Sequence, residues 1–158
     1  MIPVVSKIIE VSVFRFKADR IEFLVLQRAH AERLHPGMWQ IITGMVEEGE
    51  KAVETAVREL REETDLTPRH WWSLPMVTTF FDVHHNTVHL CPVFAAQVES
   101  DADPRLSAEH VASAWLPLDS ARARLVWPSH RQAVDLVDRY IVRGEEAAQR
   151  LLLDVPDS

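Results

Sequence analysis

Three glutamates near the middle of the chain have the residue type and the spacing of a metal-binding set. Glu59, Glu62 and Glu63 lie in a segment, residues 51–64, whose apolar positions recur with helical periodicity. On a helix the three carboxylates share one narrow face, beside the face that turns towards the core. Like charges at this spacing repel each other, and Mg²⁺ removes the repulsion because it binds carboxylate and phosphate oxygens together. The spacing therefore indicates a divalent metal site.

A solvated surface is the competing interpretation of the same helix. Glu-rich helix faces are common, and Arg58 and Arg61 would then form ordinary surface ion pairs with the glutamates. The spacing of further residues on both sides of the glutamates favours a metal site over a solvated surface. The fixed positions of the pattern are Gly44, Glu50, Arg58, Glu59, Leu60, Glu62, Glu63, Asp65 and Leu66.

This pattern, residues 44–66, resembles the signature of the Nudix hydrolase family, a loop-helix-loop that binds divalent metal and a diphosphate. The family usually has glycine where this chain has Asp65. A residue just past a helix end often adopts the left-handed conformation, which Asp reaches more easily than most side chains. We therefore expect Asp65 to cost a little stability and to leave the carboxylates in place.

The resemblance implies a fold and a set of metal ligands. The fold is α/β, a Nudix-like α/β/α sandwich with a central mixed sheet and the catalytic loop-helix-loop. The implied ligands of Mg²⁺, or of Mn²⁺ in its place, are the carboxylates of Glu59, Glu62 and Glu63 and the carbonyl of Thr43. Arg58 would pair with Glu50 or orient Glu59. Metal ions on a diphosphate polarise phosphorus and lower the pKa of a bound water, so the protein needs no covalent nucleophile.

The surroundings of the signature look most like the dihydroneopterin triphosphate pyrophosphatase branch of the family, with a likeness that runs from Lys7 to about Tyr140. On this match Glu109 is a metal ligand or a base on a loop. The general base stays open, because branches of the family take it from the helix or from a later loop. We predict Glu59, Arg58 and Glu109 as the catalytic residues. The predicted substrate contacts are Lys7, Arg28, Thr43 and His130.

The resemblance also implies the activity. It predicts Mg²⁺-dependent hydrolysis of a diphosphate linkage in a nucleoside triphosphate or dihydroneopterin triphosphate, which releases pyrophosphate and the monophosphate. Two alternatives stay open. One is a Nudix hydrolase of dinucleoside polyphosphates or nucleotide sugars, and the other is a Nudix domain that senses a nucleotide without cleaving it.

The remaining elements must place this helix in a layered α/β domain. Alternating apolar residues predict a hairpin at the start of the chain and a second pair of strands around the turn at residues 84–86. Asp119 is the predicted N-cap of a helical turn, Pro128 opens a last helix and Gly144 ends it. We expect residues 151–153 to pack back on the domain. The predicted strands are residues 9–13, 21–26, 39–43, 76–82, 87–98 and 112–116.

Length and composition limit the class of protein. The 158 residues predict a single domain over residues 1–158, with residues 145–158 as a C-terminal extension. The net charge of −7 argues against a nucleic-acid polymer as partner, and no apolar run is long enough to span a membrane. The start of the chain lacks a signal peptide, so we expect a cytoplasmic protein. The expected partner is a small diphosphate-containing molecule, and a homodimer stays open.

The acidity and the glycines are both concentrated around the signature. Eight of the 24 acidic residues lie between positions 47 and 65, with only three basic residues among them. Three of the four glycines lie between positions 37 and 49, and the chain contains neither a dinucleotide-binding glycine fingerprint nor a phosphate-binding P-loop. The single Cys91 cannot form an internal disulfide and is predicted to be buried.

Overall fold

A mixed β-sheet forms the middle layer of the protein. The computed structural model describes residues 1–156. Within these residues the sheet contains nine strands. The strands are β1 (Val4–Val5), β2 (Ile8–Lys17), β3 (Arg20–Arg28), β4 (Trp39–Gln40), β5 (Ile42–Met45), β6 (His70–Asp82), β7 (Thr87–Gln97), β8 (His110–Leu116) and β9 (Leu152–Leu153).

Strand β2 lies at the centre of the sheet. The strand order is β4-β3-β2-β7-β6-β9, with β1 beside β7, β5 beside β2 and β8 beside β3. β2 runs parallel to β7 and antiparallel to β3 and β5. Most of β2 is buried because both of its faces are covered. The two predicted hairpins, β2–β3 and β6–β7, are confirmed.

Helices cover both faces of the sheet. They are α1 (Ala52–Thr64), α2 (Leu118–Arg124), α3 (Pro128–Leu136), which continues into a π-helical turn at Val137–Val142, and α4 (Glu145–Leu151). α1 packs on one face, whereas α2 and α3 pack on the other. The predicted α/β/α sandwich with a central mixed sheet is therefore confirmed. Within residues 1–156, no helix is both long enough and apolar enough to cross a membrane.

The alternation of side chains along β2 creates two separate cores. Ile9, Val11 and Val13 point towards α1 and pack with Leu60. The other face of the sheet belongs to a second core around Phe14, which includes residues of α2 and α3. The side of the sheet on which a β2 residue lies therefore decides whether it belongs to the α1 layer or to the α2–α3 layer.

Some predicted boundaries were wrong. The strand predicted at residues 39–43 is two short strands, β4 and β5, which are separated at Ile41 and continue past Gly44 to Met45. β6 begins at His70 rather than at residue 76, because Trp71 pairs with β7 before a break in the ladder around Pro75. Pro117, not Asp119, is the N-cap of α2, and Asp119 lies in the first turn of that helix. The helix over residues 145–151 was not predicted.

Three other expectations are confirmed. Gly144 separates the π-helical turn from α4. Leu152 and Leu153 pair with β6, so the chain packs back on the sheet as expected. Cys91 is 1% exposed, and burial raises the pKa of its thiol to about 12, which keeps the thiol protonated and unreactive.

Candidate active site

The loop that enters α1 is fixed by hydrogen bonds to two carboxylates. Lys51 is the N-cap, and its backbone N–H donates to the Glu54 carboxylate at 2.8 Å. The Glu50 carboxylate accepts from the Thr55 hydroxyl at 2.7 Å and from the Glu47 backbone N–H at 3.1 Å. The Lys51 bond satisfies a donor that the start of an α-helix leaves without an intrahelical partner, and the two bonds to Glu50 hold the preceding loop against the first turn of α1.

Arg58 connects this loop to the carboxylate face of the helix. Its guanidinium donates to both oxygens of Glu50, at 2.8 and 3.0 Å, and to the Met45 carbonyl at 2.9 Å. The same group donates to Glu59 at 3.0 Å and to Glu62 at 3.2 Å. The Arg58 hydrogen bond, with those from Thr55 and Glu47, lowers the pKa of Glu50 to about 2. Arg58 therefore makes both of the contacts that the sequence suggested for it, to Glu50 and to Glu59.

Gly44 leaves the space that the Glu59 side chain occupies. A Cβ atom at position 44 would overlap the Cγ and Cδ atoms of Glu59. Gly44 lies on β5 opposite Ile9 of β2, on the sheet face that α1 covers. Burial raises the pKa of Glu59 in spite of its contact with Arg58. The absence of a side chain at position 44 thus lets a partly buried carboxylate lie against the sheet.

Glu63 and Glu109 extend this group of carboxylates. Glu63 is 3% exposed, and its Oε2 has no hydrogen-bond partner. Burial, followed by the negative charges of Glu109 and Glu59, raises the pKa of Glu63 to about 9. Glu109 comes from the acidic loop, residues 99–109, which connects β7 to β8. We call Glu59, Glu63 and Glu109 the carboxylate cluster.

Glu62 lies outside the cluster. Its side chain is 58% exposed and forms an ion pair with Arg58. In the part of the chain that the structure describes, residues 1–156, no three His, Cys, Asp or Glu side chains are already arranged to hold one ion. The predicted ligand set is therefore only partly brought together, with Glu59 and Glu63 on one side of the helix face and Glu62 on the other.

The buried stripe of α1 agrees only partly with the prediction, whereas the end of the helix agrees with it. Leu60 and Thr64 are buried as expected, whereas Val53 and Val57 are only partly buried against the same core. Asp65 has φ 57° and ψ 19°, which is the left-handed conformation expected for it, and its N–H donates to the Arg61 carbonyl at 2.8 Å. The aspartate thus performs the capping role that glycine usually has.

Of the predicted substrate contacts, Arg28 lies near the cluster. It donates to the Leu34 carbonyl at 2.8 Å, and its charge acts to lower the pKa of Glu63. The Lys7 side chain is exposed, and its backbone carbonyl accepts from Val46, just past the end of β5. Of these two cations, Arg28 is therefore the one that the structure brings within electrostatic range of the carboxylates.

Thr43 and His130 lie towards the other layer. Thr43 is opposite Glu10 across the β2–β5 pair, so its side chain faces away from α1. His130 is 2% exposed, and its Nε2 lies 2.6 Å from a Glu10 carboxylate oxygen. The structure thus joins Thr43, Glu10 and His130 into one group and does not bring His130 beside the helix carboxylates.

This second layer contains a concentration of polar atoms that the sequence did not reveal. The atoms are buried, lack hydrogen-bond partners and belong to strands β2, β6 and β7 and to helix α3, where alternation places them on the face away from α1. Only the strand register shows that these residues share a face. They are Glu10 Oε1, Ser12 Oγ, Thr78 Oγ1, His89 Nδ1 and His130 Nδ1.

Trp127 is a further residue that the sequence analysis missed. It is the N-cap of α3, it is 39% exposed, and His35 contacts its ring edge-on at 5.1 Å between centroids. Its backbone carbonyl accepts from the His130 backbone N–H at 3.1 Å in the first turn of that helix. The signal in the sequence was an aromatic residue directly before the helix-opening Pro128.

The site and the fold define a Nudix domain. The family described as the NUDIX domain matches residues 7–137. The chain belongs to the Nudix hydrolase family. Members of this family generally use divalent metals such as Mg²⁺, and the prediction of a Nudix-type pyrophosphohydrolase is confirmed at the level of the family.

Relatives of the chain differ in how much of their own length the match covers. The chain is 37% identical over 118 residues to an octanoyltransferase of Myxococcus xanthus, and this match covers 70% of the chain but only 31% of that protein. The chain is 31% identical over 138 residues to the dihydroneopterin triphosphate diphosphatase of Escherichia coli, and this match covers 80% of the chain and 89% of that enzyme. The second relative therefore matches over nearly its whole length.

Solved structures agree with the fold. The structure of the Escherichia coli dihydroneopterin triphosphate pyrophosphohydrolase superposes with a TM-score of 0.64 at 28% identity, over 82% of this chain and 95% of that one. An Ap4A hydrolase of Caenorhabditis elegans superposes with a TM-score of 0.71 at 23% identity, over 88% of this chain and 99% of that one. The Ap4A hydrolase supports the fold alone.

Proposed function

We propose that the protein is a Mg²⁺-dependent Nudix hydrolase that cleaves a diphosphate linkage in a nucleoside triphosphate or dihydroneopterin triphosphate and releases pyrophosphate and the monophosphate. The carboxylate cluster is the observation that carries this proposal. Glu63 is buried with an unpartnered oxygen, and its pKa is raised to about 9 by burial and by the charges of Glu109 and Glu59. Buried carboxylates that repel one another form a site whose free energy falls when a cation binds.

The chemistry of these donors fits a hard divalent cation. Mg²⁺ prefers carboxylate and carbonyl oxygens and completes its coordination with substrate phosphate, and Mn²⁺ accepts similar donors. We assign Glu59, Glu62, Glu63 and Glu109 and the Thr43 carbonyl as the ligands. When bound, the metal would polarise the phosphorus and lower the pKa of a water. Glu62 would have to turn away from Arg58 to join the others.

The residues of the chain have separate tasks in this proposal. Arg58 fixes the direction of Glu59 through a hydrogen bond of 3.0 Å, which limits the positions open to that carboxylate. Glu109 enters from a different element and approaches Glu63, which supports a role for it in accepting a proton from an attacking water. We name Glu59, Arg58 and Glu109 as the catalytic residues and leave the choice of base between the helix and the loop to experiment.

The substrate is proposed to lie across the end of the sheet, between the two layers. Lys7 and Arg28 supply positive charge for the phosphates, and the Thr43 region leads to the Glu10–His130 pair. The partly exposed Trp127 offers a stacking surface, which suits a flat heterocycle. The likeness to dihydroneopterin triphosphate diphosphatase supports the pterin substrate among these.

Two alternatives would use the same fold. The Ap4A hydrolase neighbour makes dinucleoside polyphosphates a substrate class to include, and nucleotide sugars are another. A domain that only senses a nucleotide would not need the complete carboxylate set, whereas Glu59, Glu62 and Glu63 are all present here. This favours an enzyme over a sensor.

The experiment is an assay of the purified protein with a panel of diphosphate-containing compounds. The panel holds dihydroneopterin triphosphate, canonical, deoxy and oxidised nucleotides, Ap4A and nucleotide sugars, each with Mg²⁺, with Mn²⁺ and with a chelator. We expect turnover of one class with either metal and negligible turnover in chelator. Folded protein that turns over none of these compounds with metal would reject the proposal.

The proposal also includes the binding partner, the domain organisation and the oligomeric state of the protein. We infer a small-molecule partner without a nucleic-acid polymer or a membrane, and a single domain over residues 1–158 with residues 145–158 as a C-terminal extension. Within the described part of this extension, α4 and β9 contact β6. Light scattering of the purified protein would decide between a monomer and the homodimer.

A further inference from the structure

Arg15 is a buried arginine on the face of β2 that packs under α1. It is 7% exposed, and it follows Val11 and Val13 on the same side of the strand. Its Nε donates to Glu22 of β3 at 3.0 Å, and its guanidinium lies over the Trp115 ring of β8 at 4.2 Å. Burial of a cation is unfavourable unless it is paired and hydrogen-bonded, so contacts from several elements must hold this group in place.

One of those contacts reaches the acidic loop. Arg15 Nη1 donates to the Ala102 carbonyl at 2.7 Å, across 87 positions of sequence. Ala102 and Leu106 of the loop also pack against the core beneath α1. Arg15 thus joins three strands of the sheet to the loop that ends at Glu109.

The acidic loop in turn covers the end of α1. The Arg105 N–H donates to the Thr64 carbonyl at 2.8 Å, and the Ser107 N–H donates to the Glu63 carbonyl at 3.3 Å. The last carbonyls of a helix have no partner within the helix, so the loop supplies the donors that they need. Past these bonds, the Glu109 carbonyl accepts from the Ala29 N–H at 2.8 Å. The backbone that carries Glu63 and the backbone that carries Glu109 are therefore directly connected.

The charged side-chain pairs of this loop outside the carboxylate cluster are exposed. Arg69 pairs with Glu99 at 3.3 Å with both side chains more than half exposed, and Arg105 lies 3.8 Å from Asp65 with a side chain that is 86% exposed. Exposed pairs of this kind contribute little to the position of a loop. Arg15, in contrast, is a buried charged side chain that hydrogen-bonds to this loop and adds to the packing of Ala102 and Leu106.

We propose that Arg15 is a positioning residue that holds the acidic loop on the end of α1 and thereby keeps Glu109 beside Glu63. This inference rests on the proposed function where it concerns catalysis, but the loop placement itself does not. Arg15 touches neither substrate nor cluster, so it acts through the Ala102 carbonyl and the loop backbone. The nine positions from Ala102 to His110 then carry its effect to the site.

Hydrogen exchange of the metal-free protein tests the placement without any activity. In Arg15→Gln we expect the hydrogen-bonded amides of Arg105 and Ser107 to exchange about 10-fold faster or more, because Arg15 no longer stabilises the closed position of the loop. Amides of the β6–β7 hairpin should be unchanged. The control is Arg122→Gln, which removes an arginine of α2 that pairs with Asp119 of the same helix and with Asp135 of α3. It should leave the loop amides unchanged.

A conservative variant keeps the test decisive if Arg15→Gln does not fold. Arg15→Lys retains the charge but lacks the planar group that can stack on Trp115 while donating to two partners. It should show the same selective loosening of the loop to a smaller extent. Loop amides that exchange as in the wild type in whichever variant is folded would overturn the proposal.

A double-mutant cycle then asks whether Arg15 acts through Glu109. We expect Arg15→Gln to lower kcat about 10-fold with a smaller change in KM, and to lower it less than about 2-fold when Glu109 is already Gln. An effect of equal size in both backgrounds would show that Arg15 does not act through Glu109. If no substrate is turned over, the exchange result still stands, so the failure of the proposed function and the failure of this inference are distinguishable.

Discussion

Two groups of glutamates on the same stretch of chain have opposite protonation behaviour. Glu50 receives two hydrogen bonds from Arg58, and its pKa is lowered to about 2. Glu63 is buried beside Glu109 and Glu59, and its pKa is raised to about 9. The residue type is the same in both, so the difference comes from burial, which raises the pKa of Glu63, and from the Arg58 cation, which lowers the pKa of Glu50. Arg58 lies within the chain and neutralises the first group permanently, whereas the second group depends on a cation from outside.

The comparison separates a structural carboxylate from a ligand-binding one. A carboxylate with a fixed partner stabilises the loop whether or not a metal is present. A carboxylate without one raises the free energy of the metal-free fold and lowers it again when a metal binds. Glu59 is intermediate between the two kinds of carboxylate, because Arg58 donates a hydrogen bond to it while burial raises its pKa. The following changes test this division, beginning with the largest effect.

Replacement of the unneutralised carboxylates should have the largest effect on activity. Glu59→Gln and Glu63→Gln are expected to lower kcat by roughly two to four orders of magnitude, because a metal ligand or base is lost. The melting temperature of each metal-free variant should equal or exceed that of the wild type, since glutamine replaces a carboxyl group whose pKa burial raises in the folded protein. Steady-state kinetics and thermal unfolding measure the two effects. A large loss of stability with nearly normal kcat would mean that these residues are structural.

Removal of the shared cation should affect both groups at once. In Arg58→Gln we expect kcat to fall about 10- to 100-fold, as is typical for a residue that orients a ligand. The melting temperature should also fall, because Glu50 and the Met45 carbonyl lose their donor. Glu50→Gln is the matched comparison, and it should lower the melting temperature with a smaller change in kcat. Equal kinetic effects in both variants would contradict the division between the groups.

The pKa of Glu63 predicts a pH dependence of metal-free stability. A glutamate in the unfolded chain loses its proton near pH 4.5, whereas Glu63 in the folded chain keeps it up to about pH 9. Between these values the folded state binds more protons than the unfolded state, so this group makes stability fall as pH rises. Urea unfolding in chelator from pH 5 to pH 9 should show a steeper decline for the wild type than for Glu63→Gln. Parallel profiles would show that Glu63 ionises normally.

The smallest effect is expected at the end of the helix. Asp65→Gly should raise the free energy of unfolding by up to about 1 kcal/mol, because glycine adopts the left-handed conformation with less strain. The kcat should be unchanged, since Asp65 contacts none of the cluster. Asp65→Ala is the control, and it should destabilise the protein. Altered kcat in the glycine variant would mean that this turn also sets the carboxylate geometry.

The sequence predicted those parts of the site that are local in the chain. Arg58, its contact with Glu50 and the left-handed Asp65 follow from short spacings and known helix geometry. The burial of Glu63 was not predicted, because the helical wheel placed it with exposed Glu62, and the covering residues come from the acidic loop. The Glu10–His130 pair joins positions 120 apart, and only the register of β2 and the packing of α3 bring them together. Long-range packing of this kind has no local signal.

The position of β2 has a consequence for the order of events when the chain folds. β2 and β3 can pair as soon as both exist, since only Ala18 and Asp19 lie between their paired ends. The parallel partner β7 and the Ala102 carbonyl come much later in the chain, and parallel pairing over such a distance is a slow step. During synthesis α1 and its glutamates therefore emerge before β7 and the acidic loop. A nascent chain stopped between Thr64 and Thr87 would lack both, and it would gain its carboxylate cluster only after Glu109 is added.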